Sequence, residues 1–502
     1  MQLHRQCLYA LDFPQLRSRA DEVKAAHKKT FSWILDKDSE VDESAQRSKF
    51  KQWLRSDDPR NNVLWILGQP GAGKSTLMKF IAHQPALRTH SQAWAGSQSV
   101  VIAGYYFWRY GSTIQRSLRG PLQSLLYQTL RQRPQLMSDV FPEHQWIYGG
   151  TEFQFPFESL QDALGRLVAA APKHGLRLVF LVDGLDEFHD RPGTDYAGSP
   201  DVRSLLGLLR IVYSSNSAKM CVSSRPLNEF ATEFRQDADQ SLRVHDPTRP
   251  DIEVFVDGTL RRNPKFLPLA EKDPTYASLM AEIIRAAEGV FQWVSLTCNS
   301  LLDGLTNADR ISDLRRRLEL LPHELDEMYE HILSNIGPGY RRNAARSLLS
   351  ICNHASSGTF LWHMYLDDDE RASIPESLDP STEDGAQELV DYTTSMLKIF
   401  NARSKCLLES GCSGVPEKND VFSNNWRIHL LCKTIPRPTH RTVVEFICKS
   451  EVRERLQADA GQLDVELDTS VLLSELTIAA TISLFKGTAC DSDTVSISEA
   501  VE

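Results

Sequence analysis

No apolar run in the 502 residues approaches the roughly 18 that a membrane-crossing helix needs, so no membrane span is expected. The opening stretch Met1-Gln2-Leu3-His4-Arg5-Gln6-Cys7-Leu8 has no apolar core of the kind that marks a secretory leader, and the expectation is a cytoplasmic protein. Cysteine is sparse, nine in all, and never in C-x-x-C spacing. Cys406, Cys412 and Cys432 lie near His429 and His440, but at separations that do not suit a structural zinc. Positive charge is short too: 56 Lys+Arg against 66 Asp+Glu leave a net charge of -10, which argues against a general binder of nucleic acid or acidic membrane. Nothing repeats with a period of 20 to 50 residues, which excludes a solenoid or propeller. What remains is ordinary for folded domains, with 41% hydrophobic and 24% charged residues, and a length with room for about three domains.

Against that plain background one segment carries chemistry. Gly68-Gln69-Pro70-Gly71-Ala72-Gly73-Lys74-Ser75 follows the apolar run Val63-Leu64-Trp65-Ile66-Leu67 and precedes Thr76 and the apolar helix Leu77-Met78-Lys79-Phe80-Ile81-Ala82. It reads as a strand entering a G-x-x-x-x-G-K-[ST] phosphate loop. Glycines let the backbone curl so that N–H groups face phosphate oxygens, and the following helix adds its positive end. Lys74 would reach the β- and γ-phosphates, and Ser75 would hold Mg2+.

Around the loop the pattern alternates. Ser99 to Tyr106, Leu176 to Val182, Lys219 to Ser223 and Ser241 to His245 read as strands. Helices read over 115–132, 157–171 and 202–213, and a longer one over 15–36 leads in. Strands separated by helices predict an α/β fold with an open, mostly parallel sheet. After Pro250 the segments 251–260, 276–287, 291–302, 311–318, 324–336, 341–352 and 386–400 are all helical by pattern. An acidic loop over 367–384 and a further helix over 471–482 complete the reading.

A phosphate loop needs an acid on a neighbouring strand to organise the metal. Asp183, at the carboxyl end of the strand ending Leu181-Val182, is placed where open sheets bind ligands and is assigned to Mg2+. Glu187 is the first choice and Asp186 the second for orienting or deprotonating an attacking water. Arg225, in Ser223-Ser224-Arg225-Pro226, ends the next strand and would distinguish triphosphate from diphosphate.

Taken in order, these stretches resemble the NACHT family of STAND-class nucleotide switches, particularly its fungal branch linked to incompatibility and immune-type signalling. Thr30 to Leu35, Phe107-Trp108-Arg109, Leu181 to Phe188, Ser223 to Pro226, Glu288 to Val294 and His440 to Ile447 carry the likeness. The resemblance implies a lead-in at 1–50, a nucleotide domain at 51–250, a helical domain at 251–322, a winged-helix-like domain at 323–450 and a tail at 451–502. It implies that His440 touches the β-phosphate of a bound diphosphate and latches the helical lobes closed. It implies slow turnover of ATP or GTP, with ADP or GDP in the resting state, and self-oligomerisation when triphosphate is held. The family's usual effector domain and repeat array have no counterpart in this sequence, so the expectation is either a truncated form or a core that works with effector or sensor proteins in trans. A non-hydrolysing nucleotide-bound scaffold and a P-loop phosphotransferase are the alternatives. No N-K-x-D segment for reading guanine is present, which leans the base towards adenine.

Overall fold

The computed structural model describes residues 2–35, 45–142, 154–189, 200–234, 240–244, 248–353, 403–410 and 436–461, apart from positions 14, 17, 28, 29, 274 and 406. The expectations for Cys406, Cys412, His429, Cys432, the acidic loop and the helices over 386–400 and 471–482 lie outside the described residues. The chain divides into two compact units, Met1–Leu321 and Pro322–Glu502.

The first unit is built on a five-stranded parallel sheet: β1 (Val63–Leu67), β2 (Ser99–Tyr106), β3 (Leu176–Asp183), β4 (Ala218–Ser224) and β5 (Ser241–Arg243), in the order β2-β3-β4-β1-β5. β1 is buried throughout, as are all seven residues of β4. Both faces of the sheet are therefore covered, which is what all-parallel strands require. Alternation sorts the side chains. Trp65, Val101, Phe180 and Met220 pack on one side against α1 (Gln2–Leu11), α6 (Thr113–Arg116), α7 (Arg119–Gln132), α8 (Met137–Val140), α9 (Phe157–Ala170), α10 (Pro200–Tyr213) and α11 (Asn228–Phe234). Leu64, Ile66, Val179 and Cys221 pack on the other side against α3 (Ala45–Arg55), α4 (Lys74–His83) and α5 (Pro85–Ala95). Each large apolar side chain so buried contributes about 1.5–3 kcal/mol. This strand order, with a phosphate loop between β1 and α4, is the α/β fold of P-loop NTPases.

The lead-in departs from the expected long helix. Only α2 (Ser18–Glu22) is helical, followed by a 3-10 turn at Ser32–Ile34. The carbonyls of Asp21 and Val23, which would continue a helix, accept instead from the Lys79 ammonium at 3.0 and 2.6 Å. Phe31 sits at φ 63, a left-handed conformation that costs about 1–2 kcal/mol. Its N–H donates to Asp251 Oδ1 at 3.0 Å, and its ring packs on Phe80 and Phe291, which offsets that cost. Val23, Phe31, Ile34 and Leu35 are nevertheless buried in the core, so the apolar spacing reported burial rather than helix.

At the amino end of the sheet β4 buries a cation. Lys219 has no exposed surface, and its Nζ donates to Trp53 O at 2.7 Å and to Asn61 O at 3.3 Å. The indoles of Trp94 and Trp53 lie 5.1 and 5.5 Å away, within cation–π range. Burial lowers its pKa to about 8.

Five helices follow the sheet within the same unit: α12 (Arg249–Leu260), α13 (Leu267–Lys272), α14 (Thr275–Ala286), α15 (Phe291–Thr306) and α16 (Ile311–Leu320). The described part of the second unit holds helices Leu325–Ser334, Pro338–Asn353, Arg441–Ile447 and Ser450–Ala460, and an antiparallel pair, Leu408–Ser410 with Pro436–Pro438. No helix of the described residues is long and apolar enough to cross a membrane.

Candidate phosphate and metal site

Gly68 leaves β1, Gln69 and Pro70 form the outer bend, and Gly71 and Gly73 take φ 74 and φ 88. Only glycine adopts such angles without strain. At Gly73 there is a second reason, since a Cβ would meet the Phe31 and Phe291 rings at 3.4 Å. Gly73 is also the N-cap of α4, so the first N–H groups of that helix, from Lys74, Ser75 and Thr76, are left without helical partners at the mouth of the loop. Lys74 is buried, and its Nζ donates to Gly68 O at 2.8 Å and Gln69 O at 3.0 Å, holding the ammonium over the loop. The loop is braced from α15: Gln292 N–H donates to Gly71 O at 3.1 Å.

β3 delivers Asp183 to the same edge. Its carboxylate is 1% exposed. The Ser223 hydroxyl donates to Oδ1 at 2.5 Å, and the Ser75 hydroxyl lies beside the carboxylate as well. Oδ2 is buried with no hydrogen-bond partner. Burial raises the Asp183 pKa, the two serine hydroxyls oppose that shift, and the nearby Glu187 adds to it. A buried carboxylate oxygen without a donor costs on the order of a few kcal/mol, which makes this atom a candidate to hold a ligand that the protein itself does not supply. A divalent cation with oxygen ligands fits: Ser75 Oγ and Asp183 Oδ2 are hard donors on facing elements.

Beyond Asp183 the chain turns through Gly184 at φ 74 into a 3-10 turn, Leu185–Glu187. The turn buries both acids, Asp186 at 6% and Glu187 at 3% exposed, and sends them in different directions. Asp186 Oδ1 accepts from Arg225 N–H at 3.1 Å, and its Oδ2 is 3.2 Å from Arg225 Nε. Glu187 Oε2 accepts from Arg109 N–H at 3.4 Å. Arg225 is thus at the sheet edge, as its place after β4 predicts, and there it is ion-paired to Asp186.

His440 belongs to the second unit, where it caps helix Arg441–Ile447. Its Nδ1 accepts from Thr442 N–H at 3.2 Å, and the Thr442 hydroxyl is 2.6 Å from the Tyr329 hydroxyl. With Nδ1 accepting, the proton of a neutral ring resides on Nε2.

Two residues near the site were not singled out as site residues in the sequence. Tyr106, last residue of β2 and in register with Asp183, buries a hydroxyl with no hydrogen-bond partner. Arg19 of the lead-in stacks on Trp108, its Cζ 3.5 Å from the ring centroid. Tyr106 could have been suspected from its place level with Asp183, whereas nothing local marks Arg19.

A family model described as Nephrocystin 3, N-terminal, matches residues 39–225, from ahead of the phosphate loop to Arg225 and under half of the chain. No curated protein is significantly similar to the chain. Among solved structures, the Walker-type ATPase of Pyrococcus abyssi is similar at 12% identity and a TM-score of 0.31, covering 85% of this chain and 99% of that one. The ORC2 protein of Aeropyrum pernix in its ADPNP–ADP complexes gives 12% identity and a TM-score of 0.31 over 86% and 98%. The Drosophila ORC bound to DNA gives 12% and 0.28 over 82% and 97%.

Proposed function

We propose that the chain is a Mg2+-dependent nucleoside-triphosphate switch of the NACHT type, hydrolysing ATP or GTP slowly. The observation that carries this reading is Asp183 Oδ2, buried without a partner beside Ser75 and at the mouth of the phosphate loop. Mg2+ held by Ser75 and Asp183 would neutralise charge on the phosphate oxygens. The remaining work falls to the chain. The N–H groups of Gly73 to Thr76 and the Lys74 ammonium would bind the phosphates.

Of the two acids, Glu187 suits the role of base. Asp186 is tied to Arg225 through two contacts, its Oδ1 accepting from the Arg225 N–H and its Oδ2 lying 3.2 Å from Arg225 Nε, which commits that carboxylate to holding the arginine. The Asp186 pair in turn fixes Arg225 at the edge where a terminal phosphate would lie, as a sensor requires. His440, with its proton on Nε2, can donate to a phosphate oxygen, which is the chemistry of a latch that favours diphosphate. Signalling in an incompatibility or cell-death response, oligomerisation with triphosphate bound, and effector or sensor proteins in trans follow from the family resemblance.

Two measurements test this. Purified protein is denatured and the released nucleotide identified, and single-turnover hydrolysis with Mg2+ is compared between wild type and Lys74→Ala. A diphosphate released from wild type, and hydrolysis abolished in the variant, are expected. Wild type that binds no nucleotide sinks the reading, and binding without hydrolysis above background reduces it to the scaffold.

A further inference from the structure

The lead-in is fastened to two elements that flank the phosphate site. Lys79 on α4, one turn beyond Ser75, donates to the carbonyls of Asp21 and Val23. On the far side the Ser18 hydroxyl accepts from Gln115 Nε2 at 3.0 Å, and Gln115 O accepts from Trp108 N–H at 3.1 Å. The segment is therefore fastened both to the helix that carries the loop and to the turn after β2 that presents Arg109 N–H to Glu187. Arg19 lies between these two fastenings. Its guanidinium is stacked on Trp108, its side chain is 15% exposed, and Glu22 is 3.8 Å away. Arg19 lies within electrostatic reach of the Asp183 carboxylate. The buried, unpartnered Tyr106 hydroxyl is also within reach of that carboxylate.

A stacked guanidinium keeps its edge N–H groups directed sideways, a geometry suited to phosphate oxygens. The distribution of charge says where. Lys74 serves the loop side and Arg225 the end of β4, while the β2 side of Asp183 has Arg19 as the cation that reaches it. We propose that Arg19, held on Trp108, is a third cation of the phosphate site that contacts the terminal phosphate of bound triphosphate and so ties the lead-in segment to the nucleotide state. This rests on the nucleotide reading above, and the diphosphate, lacking that group, has nothing for Arg19 to hold.

The test uses the full chain and measures dissociation constants for Mg2+ with AMPPNP and with ADP, and with GMPPNP and GDP in parallel, beside thermal melting. Arg19→Gln is expected to weaken the triphosphate analogue about 10-fold, the loss of one charge-assisted contact, while the diphosphate changes less than about 2-fold. Arg19→Lys recovers part of the loss. Trp108→Leu, which keeps the charge and removes its platform, weakens the triphosphate in the same direction by about 3-fold and serves where Arg19→Gln melts early. Equal losses for both nucleotides, or no loss at an unchanged melting temperature, overturn the proposal while leaving the site intact. If wild type binds neither nucleotide, both readings fall together. Lys74→Ala, which is expected to lose both nucleotides, marks the difference.

Discussion

Both ends of the sheet bury a charge, and they treat it in opposite ways. At the amino end Lys219 is enclosed by two indoles and spends its protons on two carbonyls of the protein. At the carboxyl end Asp183 is as deeply buried, yet one of its oxygens is left without a donor. A buried charge that the fold satisfies is a structural part, costly to remove. One that the fold leaves unsatisfied lowers stability and persists only where something else completes it. The pair therefore separates what holds this domain together from what it binds.

The comparison breaks most visibly at Lys219. Lys219→Ala takes a donor from Trp53 O and from Asn61 O and opens a cavity, an expected loss of about 3 kcal/mol, read as a drop of several degrees in melting temperature with nucleotide affinity unchanged. Asp183→Asn should do the reverse. It is expected to raise the melting temperature of the nucleotide-free protein while Mg2+-dependent triphosphate binding falls about 100-fold. If Asp183→Asn lowers both, the carboxylate is structural and the contrast is lost.

Glu187→Gln sharpens the carboxyl end further. Single-turnover hydrolysis should slow by about 100-fold with binding retained, because the amide keeps the contact with Arg109 N–H and cannot take a proton. Equal rates would return the role of base to Asp186.

Titration sharpens the amino end. Folding depresses the Lys219 pKa to about 8 from 10.5, so between these values the unfolded chain holds the extra proton and stability from this group rises with pH. The melting temperature of wild type relative to Lys219→Met should therefore climb between pH 8 and 10.5 and stay level below pH 8, with thermal melts across that range as the check. The smallest effect is expected at His440, which lies outside this unit. His440→Ala should weaken diphosphate binding about 3-fold, one neutral hydrogen bond, and shift the protein towards larger assemblies in light scattering.

The sequence showed the carboxyl end well because its constraints are local. Gly71 and Gly73 are needed for backbone angles within one loop, and Asp183 follows a run of buried residues that can only be a strand. Lys219 gave no signal, since an apolar strand with one lysine looks the same whether that lysine faces solvent or a box of tryptophans more than 100 residues away. Arg19 was hidden for the same reason: its platform, Trp108, lies on a different element. α5 went unread because its buried face, Leu87, Ser91, Trp94 and Ala95, includes a serine that donates to Leu87 O. In the lead-in, helical spacing and burial coincide while the backbone turns at Phe31, so the sequence pattern predicts one long helix where the structure has a short helix and a 3-10 turn.

The hydrogen bond from Gln292 to Gly71 has a consequence for exchange chemistry. That amide hydrogen is shielded by a carbonyl of the phosphate loop rather than by its own helix, so its solvent exchange rate follows the closure of the loop. Whatever tightens the loop slows deuterium uptake at the start of α15, which makes a single backbone position in the helical segment a gauge of what the glycines hold.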